Sequence, residues 1–247
     1  VESTGVFETY EQARAHLTAG AHKVVISAPA KDEPPVGVPG GTVLMGINED
    51  KLATCQITSN ASCTTNSASP LIKILHEKLG IEKAILNTVH GYTASQKLVD
   101  SPEAKDFRRG RAAAANIVPS TTGAAVAVTK VMPELSGKFD GLAIRVPVLT
   151  GSLVDITFIS KKRTSVEEVN KILKEAAAMP RWQGIFMVTE EPLVSSDIVG
   201  STFASIAQLD LTRVVDGNLV KVMAWYDNEM GYAHTLVEHV IKLGQGV

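Results

Sequence analysis

SNASCTTN, residues 59–66, is where this 247-residue chain changes character. Upstream the sequence reads as a short α/β unit; downstream the strands lengthen and alternate. Cys63 sits at the junction, with Asn60 and Ser62 before it and Thr64, Thr65 and Asn66 after it. A core cysteine ordinarily has apolar neighbours. Small hydroxyl residues running into a helical pattern instead predict a sulfur at a helix N-terminus, where unpaired N–H groups and the macrodipole lower a thiol's pKa. The bland alternative is a small buried residue, and the local sequence leaves both open.

Working outward, a helical segment near 8–18 precedes the apolar run Lys23 to Ala28, which ends at Pro29 because proline has no ladder donor. Pro34, Pro35, Pro39, Gly40 and Gly41 mark a loop. Leu52 to Thr58 alternates like a strand and leads into the quoted stretch. On the other side, Leu71, Ile72, Ile74, Leu75 and Leu79 predict one helical face. Pro70 forces a choice between a helix starting near Ser69 and a kinked one starting at Cys63; we take the kinked form. Lys83 to His90 and Leu142 to Val148 read as strands. Ser152 to Ser160 alternates, with Leu153, Asp155, Thr157 and Ile159 on one side. Ser165-Val166-Glu167-Glu168 has the form of a capping box, opening a helix that reaches Met179 before Pro180. A strand over Leu219 to Trp225 and a helix from about Glu229 to Leu243 close the chain. Long alternating strands imply a mixed or antiparallel sheet, hence two parts of different architecture.

Composition narrows the function classes. With 45% hydrophobic and 20% charged residues and a formal net charge of -2, the chain suits one large or two modest domains. No basic excess predicts nucleic acid as a partner, and no apolar stretch is long enough to span a membrane. Two cysteines, Cys55 and Cys63, make no disulfide framework, so a reducing, cytoplasmic setting is expected. The chain opens Val1-Glu2-Ser3-Thr4-Gly5, without methionine and in mid-element, so a preceding segment is expected.

A nucleophilic thiol needs a base. Of six histidines, His76 lies in a polar helical stretch and His16 and His22 flank a turn; all three read as solvated. His234 and His239, five apart in the last helix, lack metal-ligand spacing, and no metal is expected. His90 ends an apolar strand and opens into Gly91-Tyr92-Thr93, a common place for a catalytic side chain. Spacing alone does not pair it with Cys63.

Anion-binding signals come next. Pro119-Ser120-Thr121-Thr122-Gly123 runs into an Ala/Val-rich helix, as a phosphate site or as a plain threonine N-cap. Arg108, Arg109 and Arg111 cluster upstream, as a solvated face or an anion site. Arg145 interrupts the apolar strand Leu142 to Val146, where a charge needs a partner: a core carboxylate or an anionic ligand. In Trp225-Tyr226-Asp227-Asn228-Glu229-Met230-Gly231-Tyr232, Asp227 or Asn228 either caps the last helix or presents a polar group to a ligand.

Together these pieces resemble the phosphorylating glyceraldehyde-3-phosphate dehydrogenase family. SNASCTTN, TVHGYT, RRGRAAAANIVPSTTGAA, AIRVP and WYDNEMGY follow that family's order and spacing over essentially the whole chain. The resemblance implies an α/β fold: a partial Rossmann-type nucleotide-binding domain over 1–62, an α+β catalytic domain with a mixed or antiparallel sheet over 63–227, and a C-terminal helix over 228–247 returning to the first. It implies oxidation of glyceraldehyde 3-phosphate to an acyl phosphate, with inorganic phosphate as second substrate, NAD as default cofactor and NADP as the alternative, in a homotetramer. Cys63 would be the nucleophile and His90 the group that activates it. Ser62, Thr64, Thr122, Gly123 and Arg109 would hold the attacking phosphate, with Arg111 the weaker choice. Thr93 and Arg145 would grip the substrate's own phosphate. Asn228 and Tyr232 would position the nicotinamide, and Thr4, Gly5 and Ser27 would line the cofactor cleft.

The chain also departs from the family. Ser67 stands where a second cysteine is common, Met230 where tryptophan is common, and Ala94-Ser95 where Asn-Asp is common. No G-x-G-x-x-G occurs, nor the acidic residue that reads the adenosine ribose. Ser101-Pro102 lies where NAD/NADP preference is partly set. Weak or no dehydrogenase activity is therefore expected of these 247 residues by themselves. The rivals are an erythrose-4-phosphate dehydrogenase paralogue, a cysteine hydrolase or acyltransferase, and a non-catalytic binding protein.

Overall fold

The computed structural model describes residues 1–104 and 106–245. A three-stranded parallel sheet in the order β1-β3-β2 (β1 Val24–Ile26, β2 Gly40–Thr42, β3 Ile57–Ser59) carries helix α1 (Tyr10–Thr18). The Thr9 hydroxyl accepts the Gln12 N–H and starts α1, which buries Tyr10 and Ala13 against Val24, Ile26 and Ile57. Two expectations fail in this part. Gly40 and Gly41 are not loop but strand β2; a Cβ at Gly40 would lie 2.9 Å from the Ile57 carbonyl oxygen, so the close parallel pairing requires glycine there. Leu52 to Thr58 is not one strand: residues 49–53 form a 3₁₀ turn that buries Leu52, and only Ile57–Ser59 pairs.

Helix α2 (Cys63–Leu79) starts at Cys63 and passes through Pro70. Ser62 is its N-cap, the hydroxyl accepting the Thr65 N–H at 3.1 Å. Every residue from Thr64 to Ile72 is buried, so α2 is a central element enclosed on all sides and held by packing.

An eight-stranded sheet forms the larger part. In chain order its strands are β4 (Ile81–Gly91), β5 (Val118–Thr121), β6 (Phe139–Val146), β7 (Ser152–Ser160), β8 (Phe186–Thr189), β9 (Ser205–Gln208), β10 (Arg213–Val215) and β11 (Leu219–Tyr226). Its path is β5-β6-β4-β7-β11-β9-β8, with β10 on β11. β4 runs parallel to β6 and antiparallel to β7, so the sheet is mixed, as the long alternating strands imply. Pro119 is accommodated because β5 is an edge strand. On β7 the buried face is Val154, Ile156 and Phe158; Leu153, Asp155, Thr157 and Ile159 form the half-buried one.

Helix α2 packs on the buried face of this sheet beside α3 (Ala124–Val131) and α4 (Val166–Ala177). Ser165 caps α4 by accepting the Glu168 N–H at 3.2 Å. The Glu168 carboxylate turns to the Thr164 hydroxyl instead of back to Ser165, so the expected capping box is half made. Helix α5 (Met230–Gln245) returns to the small sheet, seating Leu243 among Val25, Val43, Met45 and Leu52. Residues 246 and 247 of the expected C-terminal helical span lie outside the described residues.

Candidate active site

Strand β3 ends at Ser59, and Asn60 and Ala61 turn the chain into α2. Ala61 has φ 56, left-handed backbone that a non-glycine residue adopts at a cost of about 1 kcal/mol. This turn delivers Cys63 to the first position of α2, half-buried. The end of β4 delivers His90 opposite it, 3% exposed, with Nε2 3.4 Å from Cys63 Sγ. The parallel register of β4 and β6 sets Arg145 beside His90. Arg145 Nη1 lies 2.6 Å from His90 Nδ1 and donates to the Gly91 carbonyl at 3.0 Å; Nδ1 is itself 2.7 Å from that carbonyl. Among the described residues no carboxylate pairs with Arg145, which excludes the first of its two sequence-level explanations.

These contacts set the charge states. Burial, then the Arg145 guanidinium, lowers the His90 pKa from 6.5 to about 4, so the ring is neutral at neutral pH. Two tautomers satisfy these contacts: with Nδ1–H donated to Gly91, Nε2 keeps a lone pair facing the sulfur, and with Nδ1 accepting from Arg145, Nε2–H points at it. The thiol moves against expectation. Burial pushes the Cys63 pKa up, outweighing the Thr64 N–H and hydroxyl and the Arg145 charge, which lower it. The helix mouth alone does not make a thiolate here.

Tyr226 forms the floor of the pair. Its ring meets His90 edge-on at 5.8 Å and 72°, and its hydroxyl contacts Thr64 Oγ1 at 2.9 Å and Thr88 Oγ1 at 2.8 Å. Burial raises its pKa, so it stays a neutral phenol. Sequence reading gave Tyr226 no role, although the alternation of β11 puts it on the buried face with Val220, Val222 and Ala224.

The expected anion-binding residues divide into groups. Arg109 reaches Ser120 Oγ at 3.1 Å and Thr121 Oγ1 at 3.5 Å, at the start of the phosphate-type loop, whereas Arg111 is exposed and paired with Asp100 at 3.2 Å. The Thr122 hydroxyl accepts the Ala124 N–H at 3.2 Å and thus serves the start of α3; Gly123 is the N-cap position. Gly123 and Ala61, the residue before Ser62, line one cavity of ≈ 420 Å³ together with Lys31 and Lys130. Thr93, its hydroxyl 3.0 Å from Ser95 Oγ, lines another of ≈ 450 Å³ with Tyr92, Gln96 and Glu229.

In the WYDNEMGY segment, Asp227 is the helix cap. Its carboxylate accepts the N–H groups of Glu229, Met230 and Gly200 and the Thr150 hydroxyl, and these bonds hold its pKa below the usual range despite burial. Asn228 Oδ1 accepts from the Gly151 N–H and the Ser152 hydroxyl, both at 3.0 Å, and its Nδ2 donates to Glu229 at 3.0 Å. One amide hydrogen is left for a ligand. Tyr232 donates to the Ala61 carbonyl at 3.2 Å. Gly5 and Ser27 line a cavity of ≈ 150 Å³, and a Cβ on Gly5 (φ +72) would meet no atom within 4 Å. Thr4 turns its hydroxyl to Glu2 at 2.5 Å instead. The described residues include no glycine fingerprint for a pyrophosphate.

Of the other histidines, His76 departs from expectation. His76 is not solvated: its Nδ1 accepts the Ile81 N–H at 2.9 Å and burial lowers its pKa. His16 sits 2.6 Å from the buried Glu2 carboxylate. His22 is exposed, as read. His239 is fully buried, which its lack of metal spacing did not reveal. No His, Cys, Asp and Glu group among the described residues is arranged to hold a metal ion, and no helix there is long and apolar enough to cross a membrane.

Residues 62–228, from the cap of α2 to the Asn228 amide, match the family described as glyceraldehyde 3-phosphate dehydrogenase, C-terminal domain. The chain belongs to this family. Similar proteins include glyceraldehyde-3-phosphate dehydrogenases of Mycobacterium avium (50% identical, covering 100% of this chain and 70% of the relative) and Geobacillus stearothermophilus (51%, covering 96% and 69%). Glyceraldehyde-3-phosphate dehydrogenase B of Aspergillus oryzae is 48% identical over 96% of this chain and 69% of its own length. Cys63, His90 and Arg145, which the fold brings together, all lie within the matched residues.

Proposed function

We propose that this chain carries the catalytic part of a phosphorylating glyceraldehyde-3-phosphate dehydrogenase. The observation that carries the proposal is the Cys63 sulfur 3.4 Å from His90 Nε2, beside an arginine with no carboxylate partner among the described residues. Cys63 attacks the aldehyde carbon of the substrate; the S–C bond forms, the carbonyl π pair moves to oxygen, and the thiol proton passes to His90 Nε2. The imidazolium N–H then donates to that oxyanion and returns the proton to it. A nicotinamide cofactor held by Asn228 and Tyr232 would supply the hydride acceptor that oxidation of the Cys63-bound thiohemiacetal to a thioester requires. His90 takes up the hydroxyl proton released in that oxidation. An oxygen of inorganic phosphate next attacks the acyl carbon, the C–S bond breaks, and Cys63 leaves as thiolate with an acyl phosphate as product.

Arg145 and Thr93 hold the substrate's phosphate; Arg109, Ser62, Thr64, Thr122 and Gly123 hold the attacking one. Asn228, with one free amide hydrogen, and Tyr232 orient the nicotinamide; Gly5 and Ser27 line the cofactor cleft, and Thr4, its hydroxyl bonded to Glu2, stands beside them. NAD is the expected cofactor over NADP, the assembly a homotetramer and the compartment the cytoplasm. The exposed apolar side chains Leu98, Val99, Phe107 and Ile117 support burial against further subunits.

The test is NAD reduction by the full-length gene product with glyceraldehyde 3-phosphate, with and without inorganic phosphate. Phosphate-dependent NADH formation, lost in Cys63→Ser, is expected. Phosphate-independent turnover, preference for erythrose 4-phosphate, or ester hydrolysis in place of oxidation would each overturn the proposal.

A further inference from the structure

His239 lies outside the reaction centre and none of the chemistry above uses it, yet it is fully buried and both ring nitrogens are engaged. Nδ1 is 3.1 Å from Asn60 Oδ1 and Nε2 is 2.8 Å from Thr58 Oγ1. The partners are as enclosed: Thr58 and Asn60 are 0% exposed and Thr235 2%. Thr58 lies on β3, and Asn60 opens the turn that delivers Cys63.

The hydrogen bonds can be oriented from one end. The Thr235 hydroxyl donates to the Tyr232 carbonyl at 2.9 Å, so toward Asn60 it is an acceptor. Asn60 Nδ2 therefore donates to Thr235 at 3.3 Å, which leaves Asn60 Oδ1 facing His239 as an acceptor. His239 Nδ1 must carry a proton. Burial lowers the His239 pKa to about 4, so the ring is neutral, Nε2 is an acceptor, and the Thr58 hydroxyl donates to it. The Thr58 hydroxyl also lies 3.5 Å from the Val24 carbonyl, a longer contact than its 2.8 Å to Nε2.

The same turn is held from two further sides. Asn66 Nδ2 donates to the Asn60 carbonyl at 2.8 Å and to the Ser62 carbonyl at 3.0 Å, and Tyr232 Oη donates to the Ala61 carbonyl. Between these anchors sits Ala61 with its left-handed backbone, a conformation that persists only where its surroundings over-determine it. Asn60 is the anchor on the strand side, and helix α5 holds its side chain.

We propose that His239 is a positioning residue for the nucleophile: its Nδ1–H, through the Asn60 side chain, fixes the strained turn that sets the Cys63 sulfur against His90. The proposal rests on Cys63 being the nucleophile and adds a residue remote from the reacting atoms to what sets its reactivity.

The test separates the two ring nitrogens. An asparagine amide nitrogen can stand in for Nδ1, and a glutamine amide for Nε2. His239→Asn, His239→Gln and His239→Leu are made in the full-length protein, and each is measured for melting temperature, iodoacetamide alkylation rate of Cys63, kcat and KM. All three are expected to lose stability. His239→Asn should alkylate within a few-fold of the unmodified protein, while His239→Gln and His239→Leu slow by roughly tenfold to a hundredfold at temperatures where they remain folded. The loss should fall on kcat with KM for substrate nearly unchanged. Folded variants that all alkylate at the unmodified rate would overturn the proposal, as would Gln rescuing where Asn does not. If His239→Leu does not fold, the Asn–Gln comparison decides. Failure of the underlying functional reading looks different: the unmodified full-length protein would then show no phosphate-dependent NAD reduction with glyceraldehyde 3-phosphate, whatever the relative alkylation rates of the variants.

Discussion

Acidification from pH 7 to pH 5 should destabilise this protein through two buried imidazoles before its carboxylates matter. His90 and His239 are 3% and 0% exposed, and both are held down to about 4 from 6.5. As pH falls through 6.5 the unfolded chain protonates both rings, while the folded protein keeps them neutral until about 4. The unfolded state binds more protons in this window, so stability falls with falling pH. The penalty is absent above the unfolded value and complete below the folded one. Each site then contributes about 2 kcal/mol of destabilisation at pH 5, and the two together about 4 kcal/mol. His76, lowered by burial, adds to the same slope. Glu2 and Asp227 are lowered from 4.5 and 3.8, so the stability they contribute is lost only as pH falls through their folded values, below this window. The assay is urea unfolding at pH 7, 6 and 5 for the full-length protein, His90→Asn, His239→Asn and the double variant. Each single variant should remove about half of the extra pH dependence. A double variant whose stability falls between pH 7 and 5 as steeply as that of the unmodified protein would refute the reasoning.

Two further outcomes follow from the same geometry. Arg145→Gln removes the charge beside His90 Nδ1, so the His90 pKa should rise from about 4 towards 6.5, seen as an upward shift in the acid limb of the Cys63 alkylation profile, with a higher KM for the phosphorylated aldehyde. Ser67→Ala should stabilise by roughly 1 kcal/mol in denaturant unfolding, because the Ser67 hydroxyl is fully buried with no hydrogen-bond partner among the described residues.

What the sequence made legible was whatever local chemistry fixes. The small hydroxyl residues around Cys63 pointed to a helix start there, and Ser62 makes it as the N-cap, since a cap acts on the next three residues. Strict alternation placed β7 to the residue, because a one-residue slip would have turned Val154, Ile156 and Phe158 out of the core. What stayed hidden depends on partners distant in sequence. Gly40 and Gly41 read as loop because nothing local reveals the Ile57 carbonyl pressed against Gly40 or the pairing of both with β3. Leu52 alternates with its neighbours yet belongs to a turn packed under α5. His239 had a usable signal: Gly231, Thr235, His239 and Leu243 recur every four residues, the buried stripe of α5. A search for metal spacing paired it with His234, which the helix places off that stripe.

The charge states of the centre argue for a nucleophile that is armed by its ligand. With the thiol pKa raised by burial and the imidazole pKa lowered to about 4, the free protein holds a neutral Cys63 beside a neutral His90, not a thiolate–imidazolium pair. Arg145 contributes to both: its charge lowers the thiol pKa but opposes a proton on His90 from 2.6 Å. An anion bound to Arg145 would neutralise the guanidinium field at Nδ1 and let Nε2 accept the sulfur's proton. If Arg145 holds an anion as proposed, reactivity of Cys63 is coupled to that occupancy, because the same arginine is set opposite His90 by strand register. This coupling predicts that phosphate at saturating concentration speeds alkylation of Cys63 in the unmodified protein and leaves the rate in Arg145→Gln unchanged. Equal acceleration in both would show that the arginine charge does not control the pair.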